Sequence, residues 1–198
     1  MTHFPICLDL TSKRCLVVGT GPEAARKAAA LRRAGAQVVA TPRFAATDLD
    51  GCVLAFAADV PRAVGEAVSR AAGTRGILVN VADRPELCSF IMPAVIERAP
   101  VTLAISTGGT SPALAGRLRA TLDAIVPRRL GALAALAGEF RMRVRRGIAN
   151  APARRAFWEL LLDGPVARLA LAGEQGAARR QLEAALNAET AAARRKVA

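Results

Sequence analysis

The stretch NVADRPELCSFIMPA, residues 80 to 94, delivers one carboxylate, Asp83, from an apolar run into a loop that soon turns apolar again. A carboxylate so placed suits general acid–base work, and the side-chain inventory narrows the competition. There is no Tyr and the only His is His3, so a Tyr-Lys reductase, a His-based dehydrogenase and a Ser-His-Asp hydrolase all lack their parts. Proton transfer falls to Asp or Glu. The other role open to Asp83 is to cap a turn before Pro85.

Two glycine-rich loops offer places for anions. Gly19-Thr20-Gly21-Pro22-Glu23-Ala24 reads G-x-G-x-x-A. In a dinucleotide turn the first glycine bends the chain, the second lets backbone approach a pyrophosphate, and the small third residue packs helix on strand. The helix start then supplies free N–H groups and a partial positive charge. A merely tight turn is the plainer alternative. No acid ends the next strand to hold ribose hydroxyls; it ends Ala40-Thr41-Pro42-Arg43. Thr41 is left for a weaker ribose contact and Arg43 for a 2′-phosphate, so NAD and NADP both stay open. The second loop, Ser106-Thr107-Gly108-Gly109-Thr110-Ser111, combines glycines and hydroxyls ahead of Pro112, a nest for an anion or an ordinary N-cap loop.

The elements that must position these residues follow from periodicity. RCLVV from Arg14 is a short buried-strand run, a helix of 3.6 spacing follows from Pro22, and QVVAT is a second strand after Ala34-Gly35-Ala36. CVLAFAA, PRAVGEAVSRAAG and ILVNV continue as strand, helix, strand, so a parallel sheet with helices on both faces is expected. FIMPAVIE, a turn at RAP and VTLAIST read as two strands. After Pro112 the pattern predicts about four helices, ALAGRLRATLDAIV, LGALAALAGEFRMRVRRGI, ARRAFWELLLDG and a tail from Gly173.

Composition sets bounds. The 198 residues carry a formal charge of +12, which attracts polyanions or mirrors an Arg- and Ala-rich usage. Arg141, Arg143, Arg145, Arg146, Arg154 and Arg155 could meet nucleic acid, but 4% aromatics leave little to stack bases, and no nucleic-acid partner is expected. Cys7, Cys15, Cys52 and Cys88 have no metal-ligand spacing and read as reduced thiols. No run is long enough to span a membrane, and MTHFPICLDL lacks a basic region before an apolar one, so a cytoplasmic protein without membrane contact is expected.

PICLDLTSKRCLVVGTGPEAARKAAAL, NVADRPELCSFIMPAVIERAPVTLAISTGGTSPALAGRLR and LAGEFRMRVRRGIANAPARRAFWELL together resemble the siroheme synthase family. The likeness is to its precorrin-2 dehydrogenase and sirohydrochlorin ferrochelatase module, over about residues 3 to 165. The resemblance implies an α/β fold: a Rossmann domain over 1–88, dimerisation strands over 89–111, a helical domain over 112–172 and a helical tail over 173–198. It implies NAD as cofactor, a homodimer, oxidation of precorrin-2 to sirohydrochlorin and, in bifunctional members, insertion of Fe2+ (or Co2+). Carried over by position, Asp83 is the catalytic acid and is open to a transient contact with the metal substrate, with no permanent metal site. Gly19, Thr20, Gly21, Pro22, Glu23, Thr41, Arg43, Phe44 and Asn80 fall on the cofactor site. Ser106, Thr107, Gly108, Gly109 and Thr110 fall on the substrate side. The chain departs from the family between Phe44 and Cys52, which is short by a strand and helix, and at Thr107, where relatives often carry Ser. A non-catalytic NAD-sensing module and a basic nucleic-acid-binding protein are the competing readings.

Overall fold

The computed structural model describes residues 3–195. Met1, Thr2 and the last three residues of the expected tail lie outside the described residues. The chain divides into two compact units, one of residues 1–92 with 106–111, the other of 93–105 with 112–198. The strands expected as a segment of their own thus group with the helices, and the second glycine loop groups with the dinucleotide turn.

The first unit is a parallel sheet. β1 (Arg14–Val18), β2 (Gln37–Thr41), β3 (Cys52–Ala57) and β4 (Leu78–Val81) lie in the order β2-β1-β3-β4, all parallel. Successive side chains on a strand face opposite sides, and both sides are covered. Cys15, Val17, Leu54 and Phe56 pack with Ala24, Ala28 and Leu31 of α1 (Pro22–Arg33). Leu16, Val18, Ala55, Ala57, Val79 and Val81 pack with Val68 and Ala72 of α2 (Arg62–Gly73). The expected Rossmann-type sheet with helices on both faces is what forms. Where the chain runs short, a 3-10 turn over Ala46–Leu49 links β2 to β3, and Leu49 is fully buried against the α2 side.

β1 leads through α1 to β2 on one side, while β3 lies on its other side. The order in which the strands are laid down therefore reverses between β1 and β3, and in such sheets the crevice at that point, past the carboxyl ends of the strands, receives ligands.

In the second unit β5 (Ala94–Arg98) and β6 (Val101–Ile105) form an antiparallel ribbon. The predicted first strand begins late: Phe90–Pro93 are not strand, and the last of them is a proline, which has no N–H to give a ladder. Among the described residues the helices number five, α3 (Pro112–Ile125), α4 (Leu130–Gly147), α5 (Ala151–Asp163), α6 (Pro165–Ala172) and α7 (Gln175–Arg195), where about four are predicted. The one the pattern misses is α6, eight residues behind Gly164-Pro165. A Gly-Pro pair reads as a break, yet Pro is at home in a helix's first turn, and two turns are too short for periodicity to register. Leu133, Leu136, Phe140 and Val144 of α4 meet Phe157 and Leu161 of α5, Val166 and Ala170 of α6, and Leu182 and Leu186 of α7 in one core. No helix among the described residues is long and apolar enough to cross a membrane.

Candidate active site

Three backbone hydrogen bonds carry the sheet ladder past its strand ends: Gly19 N–H donates to Thr41 O (2.9 Å), Ala58 N–H to Val18 O (3.0 Å) and Ala82 N–H to Ala57 O (2.9 Å). The three loops that leave the sheet at its carboxyl edge are thereby aligned. Gly19 takes φ +128°, and a Cβ there would collide with the Ala58 carbonyl, so both its conformation and its tight contact require glycine.

Past β3 and β4 the sequence repeats itself. Ala58-Asp59-Val60-Pro61 and Ala82-Asp83-Arg84-Pro85 leave neighbouring strands at the same register, Ala57 lying beside Val81. Both aspartates adopt the left-handed region, Asp59 at φ +56° and Asp83 at +60°, where few residues other than Gly, Asn and Asp settle. Together with Ala57, Ala58, Val60, Ala82 and Arg84 they line a cavity of about 180 Å3. Sequence reasoning singled out Asp83 and missed Asp59. The signal was there in the duplicated A-D-x-P, each copy closing an apolar strand.

What steers Asp83 is the return of its loop onto the edge of β4. Val79 N–H donates to Ser89 Oγ and Ser89 N–H to Val79 O, both at 2.8 Å. Val81 N–H donates to Cys88 Sγ (3.2 Å), and Asn80 Nδ2 donates to Phe90 O (3.0 Å). The Asn80 amide thus helps to close the loop. Ser69 Oγ of α2 donates to Leu87 O (2.8 Å), pinning the same loop from the helix side. Burial pushes the Cys88 thiol above its ordinary pKa, which keeps it a neutral packing group.

At the dinucleotide turn, α1 has no cap of its own, for Gly21 stands at the N-cap and Pro22 lacks an N–H. Asp59 supplies the missing acceptor: its Oδ2 takes the Ala24 N–H at 2.9 Å, and a Cβ on Gly21 would strike its carboxylate. The turn therefore holds an anionic oxygen on a helix-start amide, which is what a phosphate would be there. Glu23, in the first turn, pairs with Arg26 (2.5 Å) and with buried Lys27 (3.4 Å). The Arg26 hydrogen bond holds the Glu23 carboxyl below its ordinary pKa. Lys27 lies over the Phe56 ring, 5.1 Å from its centroid.

The other predicted residues stand as follows. Thr41 Oγ1 donates to Arg43 O (2.6 Å), folding the end of β2 on itself, while Arg43 is exposed and Phe44 packs into the α2-side core. In the second loop Thr107 Oγ1 donates to Ser111 O (3.0 Å), Thr110 Oγ1 to Thr107 O (2.6 Å), and Ser106 Oγ accepts from Gly108 N (3.1 Å). Gly108 and Gly109 both have positive φ, +66° and +85°. Its hydroxyls thus brace the loop, and the N–H groups of Gly108, Thr110 and Ser111 are engaged within it as well. Among the described residues no three His, Cys, Asp or Glu gather at metal-binding spacing.

Three family models match the chain in succession: "Putative NAD(P)-binding" over residues 6–94, "Sirohaem biosynthesis protein central" over 98–124 and "Sirohaem synthase dimerisation region" over 129–186. The siroheme synthase of Methylococcus capsulatus is 45% identical over 217 aligned residues, covering 99% of this chain and 45% of that protein. The chain belongs to the siroheme synthase family. A second family member, the siroheme synthase of Nitrosomonas eutropha, is 42% identical over 94% of the chain and 44% of its own length. The chain spans about half the length of the curated siroheme synthases it matches. A solved structure of SirC, a precorrin-2 dehydrogenase, shares the fold with a TM-score of 0.69 at 22% identity, over 91% of this chain and 99% of that one.

Proposed function

We propose that this chain is an NAD-dependent dehydrogenase that oxidises precorrin-2 to sirohydrochlorin in the cytoplasm, with Asp83 as the catalytic acid–base group. The observation that carries the reading is the placement of Asp83: a left-handed carboxylate on a braced loop, lining a polar cavity at the carboxyl edge of a parallel sheet, beside a G-x-G turn. Gly19, Gly21 and the Ala24 amide are the parts that would cradle the pyrophosphate, with Thr41 and Arg43 toward the adenosine. When bound, the dinucleotide supplies a hydride acceptor. Oxidation removes a hydride and a proton from the macrocycle, and Asp83 takes the proton and passes it to water. No strong base is needed, because the product gains conjugation. The loop Ser106, Thr107, Gly108, Gly109 and Thr110, bent by two glycines at positive φ, is the proposed place for a carboxylate of the substrate.

The test is to incubate the chain with precorrin-2 and NAD and follow the sirohydrochlorin spectrum. Asp83→Asn keeps the fold and NADH binding and drops turnover by about 10²-fold or more; a fully active variant would sink the assignment. A wild-type chain that binds NADH but never oxidises precorrin-2 would favour the sensing module.

Two carboxylates lining one cavity favour a second activity, insertion of Fe2+ into sirohydrochlorin, with Asp59 and Asp83 as acceptors for the displaced pyrrole protons. Supplying sirohydrochlorin with Fe2+ or Co2+ and finding no rate above the enzyme-free control removes it. A homodimer through the second unit is the accompanying proposal, supported by the dimerisation-region match over 129–186. A two-stranded ribbon such as β5–β6 is also marginal without further partners. Sedimentation at micromolar concentration checks it, and a monomer there overturns it.

A further inference from the structure

We infer that Asp59 sets the strength of dinucleotide binding, acting as a built-in counter-anion on the very amide of α1 that a phosphate would use. The inference rests on reading the Gly19–Ala24 turn as a dinucleotide site and adds a residue that the G-x-G-x-x-A pattern does not contain.

Four observations lead to it. Asp59 stands where the strand order of the sheet reverses, directly past β3 and beside the end of β1. Its Oδ2 accepts the Ala24 N–H at 2.9 Å, and that amide is one of the four that α1 cannot satisfy internally. Gly21 leaves the space that the Asp59 carboxylate fills, so the glycine expected to admit a pyrophosphate already admits an acid. Finally, Asp59 lines the same cavity as Asp83, which gives the carboxylate somewhere to turn when it leaves the amide.

Two anions cannot share one N–H and its dipole field without repulsion. Dinucleotide binding therefore displaces the Asp59 carboxylate or works against its charge. The apparent affinity falls by the fraction of molecules in which the amide is free. A neutral acceptor at position 59 removes the repulsion and keeps the cap. Asn is the conservative choice, since it tolerates the left-handed backbone and offers an oxygen.

The experiment titrates NADH into the full chain by fluorescence, with melting curves alongside, for wild type, Asp59→Asn and Asp59→Ser. Both neutral variants are expected to bind NADH about tenfold tighter, the size of effect that removal of one nearby like charge gives at a partly exposed site. Serine serves as the second acceptor in case the asparagine variant folds poorly. A cap without influence on the cofactor would lower the melting temperature on substitution and leave the dissociation constant alone. If wild type binds NADH and folded neutral variants bind no tighter, the role assigned to Asp59 is wrong while the dinucleotide reading stands. If neither wild type nor the variants bind NADH, both fall together. Binding by the neutral variants alone supports both.

Discussion

Asp59 and Asp83 occupy equivalent turns, yet each is held differently, and single substitutions should expose this. At Gly21 an added Cβ meets the Asp59 carboxylate and breaks its bond to Ala24 N–H. Gly21→Ala is therefore expected to destabilise the first unit by about 1–2 kcal/mol, the usual cost of a lost helix cap. It should also weaken NADH binding, because the added methyl blocks the close backbone approach of a pyrophosphate that the second glycine allows, a loss that outweighs the freed amide; urea unfolding and a titration check the two effects. The Glu23 carboxyl titrates below its ordinary value, chiefly through its bond to Arg26. A depressed acid contributes stability above the unfolded-state pKa and loses it as pH falls through the folded one. The contribution is thus present at neutral pH and fades below about 4.5. It is small, because Arg26 is exposed, and Glu23→Gln should lower the neutral plateau of a stability–pH curve slightly while leaving its acid end in place, so that the slope between them flattens. Cys7 is exposed, Cys15 and Cys52 are buried with raised thiol pKa values, and Cys88 is raised likewise. At neutral pH a maleimide should accordingly label Cys7 fast and the other three only on unfolding, which mass spectrometry of the labelled peptides reads.

Elements show why some of this was legible in the sequence and some was not. The β-α-β unit from Arg14 to Thr41 could be read because burial on both sheet faces leaves uninterrupted apolar strands, and because Pro22 and Gly35 punctuate the helix between them. Asp83 could be singled out because its loop is bounded by two apolar runs. The role of Asp59 could not, since a cap supplied from another strand leaves no local spacing to find; only the repeated A-D-x-P hints at it. The hydroxyls of residues 106–111 pointed to anion binding, yet they mostly brace their own loop, and composition cannot distinguish a donor already used from one still free. α5 is a different case: the predicted helix begins at Ala153, two residues late, although the start is encoded locally. Asn150 is its N-cap, accepting the Ala153 N–H at 2.9 Å, with Ala151-Pro152 following. Asn150→Ala should cost about 1 kcal/mol in denaturant unfolding, and Asn150→Ser little, because serine caps equally well.

Across the whole molecule the +12 charge is the property that most constrains partners. Part of the Arg-rich helical face is already committed to structure. Arg143 pairs with Glu183 of α7 at 2.9 Å and lies over Phe140, Arg179 pairs with Glu139, and Arg155 pairs with Glu159. Arg154 donates to the Ile148 and Ala149 carbonyls just past α4. A surface built to follow a nucleic-acid backbone would keep such groups for phosphates, whereas here they hold α4, α5 and α7 in place. The residual positive field is long-ranged and weakly directional, which suits attraction of a compact, multiply carboxylated substrate. Salt then separates the two readings. Screening shortens from about 10 Å at 0.1 M to about 3 Å at 1 M, so KM for precorrin-2 should rise several-fold over that range while kcat stays nearly constant. Affinity for NADH, held by local amides and set against Asp59, should change much less. Nucleic acid should not be retained on filters near 0.15 M salt. Tight retention there, falling steeply as salt is raised, would mean that the charge serves a polyanion through counterion release, and the tetrapyrrole reading of the basic surface would have to be abandoned.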